Sequence, residues 1–496
     1  MSQTPSPESS PAASPDVFPS VTSDAWAELV RTELKGKDPA SLFAITRHGY
    51  RLHPVYRAED LPAGIDSAPG EAPFVRGGLP VADVPEAVPH VVLQRHVDSD
   101  RDTLRDAINE DVTGGVTGLW LEPRLCGISS PEGMETILGD IDVRTLRRLA
   151  VDGCSDGAGR LTMTRAWLDA RGVDPGEVAL SLRVDPLGSL LRDGALPGSL
   201  DDALDSAADL VRTCISELPA AVPLTLTAGP IDAGGGSLLH SIGWLLANAA
   251  WLLRGLEARG LSPAQVAPRI ELHLPLGRDV FAGIAAVRAT RLVWHRLMSL
   301  CGIDSPAPAR IHADCATTAA ASQDPWTNAL RTSTQVFAGM VGGADAITAA
   351  PWDLPLGIPE SGPRRLARNT HFVLGEEAHV ARIADPAGGS FHVEDLTAEL
   401  ARAGWAALRS IEAKGGAAEA LTSGWIKERL DSTWHERVHD AGAHKEEVLG
   451  ASIYPNADAV VPPRRPHPFA DVSGLRGVSI GRLPFRPDAD AHQGDV

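Results

Sequence analysis

The sequence predicts an α/β fold: a TIM (β/α)8 barrel with an N-terminal helical and extended arm and a C-terminal helical tail. Three observations predict it. From about residue 88, short apolar runs of strand length alternate with longer helical stretches. Eight such β/α units follow one another over roughly 260 residues, the size of this barrel. Each run is bounded by proline, glycine or a charged residue, as strands buried on both faces should be. A doubly wound open sheet is the alternative, and it is more often shorter.

Residues 1–22 cluster Ser and Pro with few apolar groups. They cannot offset the entropy of ordering and are expected to be disordered. With no basic start and no apolar run, they do not form a signal peptide. Residues 23–87 read as an arm suited to wrapping a partner. A capped amphipathic helix begins near Ser23–Asp24 and runs through Trp26, Leu29, Val30 and Leu34 to Lys37. Loops and short extended pieces rich in Pro and Gly follow.

The barrel is assigned to residues 88–420. Its strands are expected at Val91–Gln94, Gly118–Leu121, Leu149–Asp152, Val178–Val184, Leu224–Thr227, Ile270–Leu274, Arg310–Ala313 and Ala346–Ala349. Helices are expected at Arg101–Asp111, Thr164–Arg171, Leu200–Glu217, Leu238–Arg259, Asp279–Cys301 and Pro325–Val341. The stretch Leu238–Leu256 is the best membrane candidate, but it carries His240, Asn248 and Arg254, so a buried amphipathic helix is the better reading. After the eighth strand come a helix near Pro363–Glu377, a turn at Asp385–Ser390 and a long helix near Val393–Lys414. Residues 421–496 hold a strongly charged helix, Ser423–Glu447, and a tail rich in Pro, Arg and Gly that wraps or dangles.

Composition narrows the function classes. Against 64 Asp+Glu stand 45 Lys+Arg, a formal charge of −19 over 496 residues, which argues against nucleic acid as the main partner. The five cysteines, Cys126, Cys154, Cys214, Cys301 and Cys315, form no CxxC pair. They fit reduced thiols in a cytoplasmic protein. The three tyrosines are Tyr50, Tyr56 and Tyr454, so none lies in the barrel region.

Three strings look chemical. His435-Glu436-Arg437-Val438-His439 is a literal HExxH, whose histidines share a helix face and could hold zinc. His444 is misplaced by one residue for the extended three-histidine pattern, and the surroundings read as a solvated face. Asp490-Ala491-His492-Gln493-Gly494 nearly matches the cobalt-ligating DxHxxG, with the glycine one position early and two residues after it. Gly234-Gly235-Gly236 follows the fifth strand and opens a helix, so it could cradle an anion, although a tight βα turn explains it as well. Neither Gly342-Gly343-Ala344-Asp345 nor Asp385–Ser390 carries more than turn chemistry on composition alone.

At these turns the chain resembles a known family. The stretch DPWTNALRTSTQVFAGMVGGADAITAAPWD, Asp324–Asp353, is similar to the methylmalonyl-CoA mutase family. So is RLARNTHFVLGEEAHVARIADPAGGSFHVEDLTAELARAGWAALRSIEAKGG, Arg365–Gly416, and so is the N-terminal WAELVRTELKGKDPASL with its following HPVYRAEDLP and APFVRGG. The likeness spans about residues 24–455. It implies a TIM barrel that, in catalytic members, encloses an acyl-CoA and adenosylcobalamin, with a separate C-terminal domain carrying the cobalamin.

The chain departs from the catalytic pattern at the positions that matter. Where catalytic members carry a Tyr-Pro-x-Met-Tyr run, this chain reads Gly78-Leu79-Pro80-Val81. The Gly-Tyr-His run after the fifth strand falls on Ala228-Gly229-Pro230. A substrate-contacting loop is replaced by the acidic, Ala-rich stretch Ser199–Ala207, and no cobalamin-binding domain is expected. Pro230 offers no proton donor to a migrating thioester carbonyl. The resemblance therefore implies the small, or beta, subunit of a heterodimeric mutase, with no catalytic, cofactor-binding or metal residues of its own. Adenosylcobalamin and acyl-CoA would be bound through a large catalytic partner subunit; no nucleic acid and no membrane are expected as partners. The alternatives are a barrel subunit of a split mutase that borrows cobalamin from a separate small protein, and a zinc-dependent protein through His435 and His439.

Overall fold

The computed structural model describes residues 21–46, 50–62, 67–79, 88–442, 447–456, 460–468, 478–480 and 482–487. The expected disorder of residues 1–22 falls almost wholly outside them, as do Pro80, Val81, His444 and the Asp490–Gly494 string. Two compact units are distinguished, Met1–Tyr56 and Arg57–Val496.

In the first unit, helix α1 spans Ser23–Glu33. Its cap is Thr22, one residue earlier than expected, whose hydroxyl accepts from the Ala25 amide at 3.2 Å. The helix stops short of Lys37 because Lys35 turns left-handed, at φ 54°. Ala44–Ile45 pairs antiparallel with Arg51–Leu52, and the Arg51 guanidinium lies 3.6 Å over the Phe43 ring.

The second unit is built on a closed barrel of eight parallel strands: β1 Val91–His96, β2 Gly118–Leu121, β3 Arg148–Val151, β4 Leu180–Val184, β5 Val222–Thr227, β6 Ile270–Leu276, β7 Arg310–Cys315 and β8 Ala346–Thr348. All eight expected strands are present, displaced by at most two residues at either end. β8 closes the ring by pairing Ala346 with Val91 of β1 and with His312 of β7.

Around the barrel run α2 Arg101–Thr113, α3 Pro131–Leu138, α4 Gly157–Ala170, α5 Leu200–Glu217, α6 Leu238–Glu257, α7 Val280–Leu300, α8 Asn328–Val341, α9 Ser361–Phe372, α10 Phe391–Glu412 and α11 Trp425–Gly442. α4 starts seven residues before Thr164 because Asp156 caps it, its side chain accepting from the Gly159 amide. The two glycines of its first turn hide this start in the sequence.

By alternation, Leu119, Leu121, Leu149, Val151, Leu182, Leu226, Leu272 and Leu274 turn outward and are buried beneath the helices. α6, the apolar helix weighed above as a span, is buried because α10 crosses it closely. A Cβ on Gly243 would stand 2.4 Å from the Ala407 Cβ, and one on Gly404 would stand 2.5 Å from Ile242. No helix among the described residues is long and apolar enough to cross a membrane.

The Asp385–Ser390 turn does more than reverse the chain. Arg288 of α7, fully buried, pairs with Asp385 and, at 2.6 Å, with Glu394 at the start of α10. Arg76 also faces Asp385 and Glu394, at 3.8 and 3.6 Å. The turn is thus fixed by a buried ion cluster that composition alone did not reveal.

Candidate functional site at the barrel axis

In a barrel of this kind the axis is normally filled by branched apolar residues, and chemistry sits at the C-terminal mouth. Here the inward rows are polar. Because side chains alternate along a strand, one face of each contributes to the axis. These are Arg95 from β1, Trp120 from β2, Arg148 from β3, Ser181 and Arg183 from β4, Thr225 and Thr227 from β5, Glu271 and His273 from β6, His312 and Asp314 from β7 and Thr348 from β8. Apolar Val91, Leu93, Ala150 and Ala346 gather against Trp120. At Gly118 a Cβ would lie 2.6 Å from Val91 Cγ1 and 3.3 Å from the Arg148 Cβ, so a larger residue would not fit this crowded wall.

The polar side chains neutralise one another. Arg148 pairs with Glu271, whose side chain is fully buried. Arg183 stands 3.5 Å from Glu271 and 3.8 Å from Asp152, lies 4.0 Å over the Trp120 ring and approaches His312 Nδ1 at 3.2 Å. Each charge thereby keeps an opposite partner in a medium where an isolated one would be costly. His312 Nε2 meets the Thr348 hydroxyl at 2.8 Å. Burial, with His273 and Arg183 beside it, holds the His312 imidazole well below its ordinary pKa, so it is neutral. His273 meets the Thr227 hydroxyl at 2.9 Å and Asp314 at 3.3 Å. The two imidazoles stack, and Trp120 packs edge-on against both, with centroids 5.6 Å away.

This layer stops the bore, with cavities on either side of it. The one at the N-terminal mouth, about 400 Å³, is bordered by Arg76, His90, Arg147, Arg148 and Arg310. At the C-terminal mouth one cavity, about 170 Å³, is lined by Arg95, Glu122, Asp152, Cys154 and Arg192 and bordered by Pro468 and Arg482 of the tail, and another, about 60 Å³, by Gln94, Arg95, Asp314 and Thr348.

The tail ties itself across this mouth. Arg465 pairs with Asp98 at 3.0 Å, Arg464 with Asp353 at 2.6 Å, and Arg482 donates to the Asp193 carbonyl at 3.3 Å. Further on, the Arg486 amide donates to the Ala233 carbonyl at 2.8 Å and its guanidinium pairs with Asp431 at 2.6 Å. Arg486 Nη1 donates to the Gly234 carbonyl at 3.1 Å.

The sequence candidates fall as follows. Gly229–Ala233 forms a short helix at the mouth after β5, with Pro230 in its first turn. Gly234–Gly236 is a packed βα turn beneath Leu430, Trp434 and Leu483, with its carbonyls turned to Arg486 rather than its amides turned to an anion. Gly78 packs on Pro308, and Leu79 is exposed. Ser199 caps α5 in a reciprocal pair with Asp202. His435 and His439 lie on the exposed part of α11, and His435 Nδ1 is engaged by the Asp431 carbonyl at 2.7 Å. Among the described residues no group of three or more His, Cys, Asp or Glu is placed to hold a metal ion.

Sequence reading missed the axial network. Its signal was present as charges at alternate positions inside apolar runs: Arg148, Arg183, Glu271, His273, His312. Chemically the network is closed. Its acids and bases pair with one another, and burial pushes the Cys154 thiol up to about 12, so it stays protonated.

Comparison with known proteins agrees with this architecture. The sequence profile described as methylmalonyl-CoA mutase matches residues 122–468. A methylmalonyl-CoA mutase small subunit of Streptomyces virginiae is 34% identical over 486 residues, covering 96% of this chain and 77% of that protein. A methylmalonyl-CoA mutase small subunit of Propionibacterium freudenreichii subsp. shermanii is 31% identical, covering 91% and 72%. A methylmalonyl-CoA mutase of Cereibacter sphaeroides is 27% identical, covering 87% and 64%.

Proposed function

From this chain's membership of the methylmalonyl-CoA mutase family we propose that it is the small subunit of an adenosylcobalamin-dependent mutase interconverting methylmalonyl-CoA and succinyl-CoA. In this reading the chain is catalytically silent and stabilises a large catalytic subunit. The observation that carries the proposal is the stopped bore. A substrate threading the axis would have to displace Trp120, Arg183, His273 and His312, each buried. Pro230 supplies no donor at the mouth, and no tyrosine lies between residues 57 and 453 to take over that role.

The small size of the cavities at the C-terminal mouth supports placing adenosylcobalamin elsewhere. The two cavities described there, about 170 and 60 Å³, are each smaller than the smallest drug-sized pockets of about 300 Å³. The cofactor and the acyl-CoA are therefore assigned to the partner, and no step of the rearrangement is routed through this chain. The unpaired state of all five thiols supports placing the complex in the cytoplasm.

The test is co-expression with a large mutase subunit. Co-elution, and a gain in the stability or activity of that subunit, are expected. A chain that neither co-elutes nor changes either property would overturn the reading, and acyl-CoA turnover by this chain with a cobalamin-binding protein alone would replace it with the split-mutase reading.

A further inference from the structure

Outside the barrel, a groove of about 530 Å³ runs between α6, the C-terminal half of α10 and the start of α11. Its walls are apolar, formed by Leu239, Trp244, Ala407, Ile411 and Ile426. Two polar groups converge in it. The first is His240. The Ser237 amide donates to His240 Nδ1 at 3.2 Å, which makes that nitrogen an acceptor and puts the ring proton on Nε2. Burial, with Arg429 nearby, lowers the imidazole to about 4, so the neutral Nε2–H form is the one present. The second is the Arg429 guanidinium itself. Among the described residues neither His240 Nε2 nor the Arg429 head group has a hydrogen-bond or ion-pair partner. Most other arginines bordering helices here are paired, as Arg254 is with Glu412 and Arg486 with Asp431.

An apolar cavity with a few converging polar groups is the usual form of a small-molecule site. Two free donors, one of them a fixed cation, call for a single negative charge, while the remaining wall calls for hydrocarbon. A phosphate would leave its second charge unmatched and its oxygens against Ile and Trp. We infer that this groove binds a medium-length apolar carboxylate, its head group held by Arg429 and His240 Nε2 and its chain laid along Trp244, Ala407 and Ile426. The groove lies off the barrel axis, and octanoate binding is read on the lone chain without a large subunit, so this inference and the subunit role fail separately.

Calorimetric titration of the full chain with octanoate tests it, with octanol and octylamine as controls of equal length. Saturable binding of one octanoate per chain is expected, with octanol and octylamine at least tenfold weaker. Arg429→Ala should weaken octanoate at least tenfold. Ser410→Phe, which fills the groove from an exposed position, should do the same. Both replaced side chains are exposed, so the melting temperature serves as a fold check and should stay near that of the parent chain. Absence of saturable octanoate binding would overturn the inference. So would octanol binding as tightly as octanoate, or unchanged affinity in Arg429→Ala.

Discussion

His273 and His312 stack across the barrel axis, ring centroids 4.6 Å apart and planes 15° from parallel. They come from adjacent strands β6 and β7, paired in register. One imidazole faces a carboxylate, Asp314, and the other a guanidinium, Arg183. The stack is therefore asymmetric in charge and forms the middle of a plug whose ends are ion pairs.

Trp120 is the largest wall of the plug. Its indole N–H is buried without a hydrogen-bond partner, so its contribution is packing rather than polarity. Trp120→Phe should cost about 1 kcal/mol or less, whereas Trp120→Ala should cost about 3–5 kcal/mol through the cavity it leaves. Urea unfolding of the two variants checks this. Equal losses would mean that the indole N–H, and not its volume, is what the barrel uses.

Glu271 anchors two arginines at once. Glu271→Leu should destabilise by about 3–5 kcal/mol, since Arg148 and Arg183 then lose a common counter-charge. Adding Arg148→Met should recover part of that loss, because the pair is replaced by apolar volume. A double variant no more stable than the single one would show that Arg148 does not depend on Glu271.

The tail arginines both meet buried carboxylates but differ in their own exposure. Arg464 meets Asp353, whose side chain has no exposure, whereas Arg465 is half exposed where it meets Asp98. Arg464→Ala should cost about 3 kcal/mol, since both members of its pair are buried, and Arg465→Ala about 1–2 kcal/mol, since Asp98 is buried but its partner guanidinium is half in water. Raising the salt concentration should weaken the second contact more than the first. Thermal unfolding at low and high salt separates them, and a reversed order would refute the assignment.

Acid lability should come partly from buried histidines. His371 lies 2.9 Å from His90, and burial lowers it to about 3; His96 falls to about 3 for the same reason, with Arg364 adding to it. The unfolded chain has histidines near 6.5. Between those values the unfolded state binds protons that the folded state does not, so stability is complete above about pH 6.5 and declines as pH falls towards 3. Each such histidine adds up to about 1.4 kcal/mol per pH unit to that slope. His371→Gln should reduce the slope between pH 5 and 6 by about one proton. An unchanged slope in denaturant titrations would place the lability elsewhere.

Much of the fold was legible because parallel strands in a barrel are punctuated strongly. Gly118–Leu121 was readable to the residue, and so was Leu200–Glu217, although its Ser199 cap was not. The ends that moved did so for local reasons, as where Lys35 turns left-handed or Asp156 caps a glycine-rich turn. The departures from the catalytic pattern at Pro230 and at Gly78–Val81 rest on the resemblance alone. The plug was not legible. A charge at every second position of a strand reads as a solvated face when the sheet is open, and only closure turns Arg183, Glu271 and His312 onto one axis. The pairing of Arg288 with Asp385 and Glu394 was hidden for a different reason: its members are about a hundred residues apart.

The stopped bore also behaves as a ratchet. Removing Arg148, Arg183 or Glu271 alone strands a charge, since the three depend on one another, and that first step of about 3–5 kcal/mol takes up a large part of a typical domain's margin of stability, about 5–15 kcal/mol. A barrel that reaches this state is held there by its own counter-ions. Sequence drift can vary its surface freely, while an open channel requires several replacements at once.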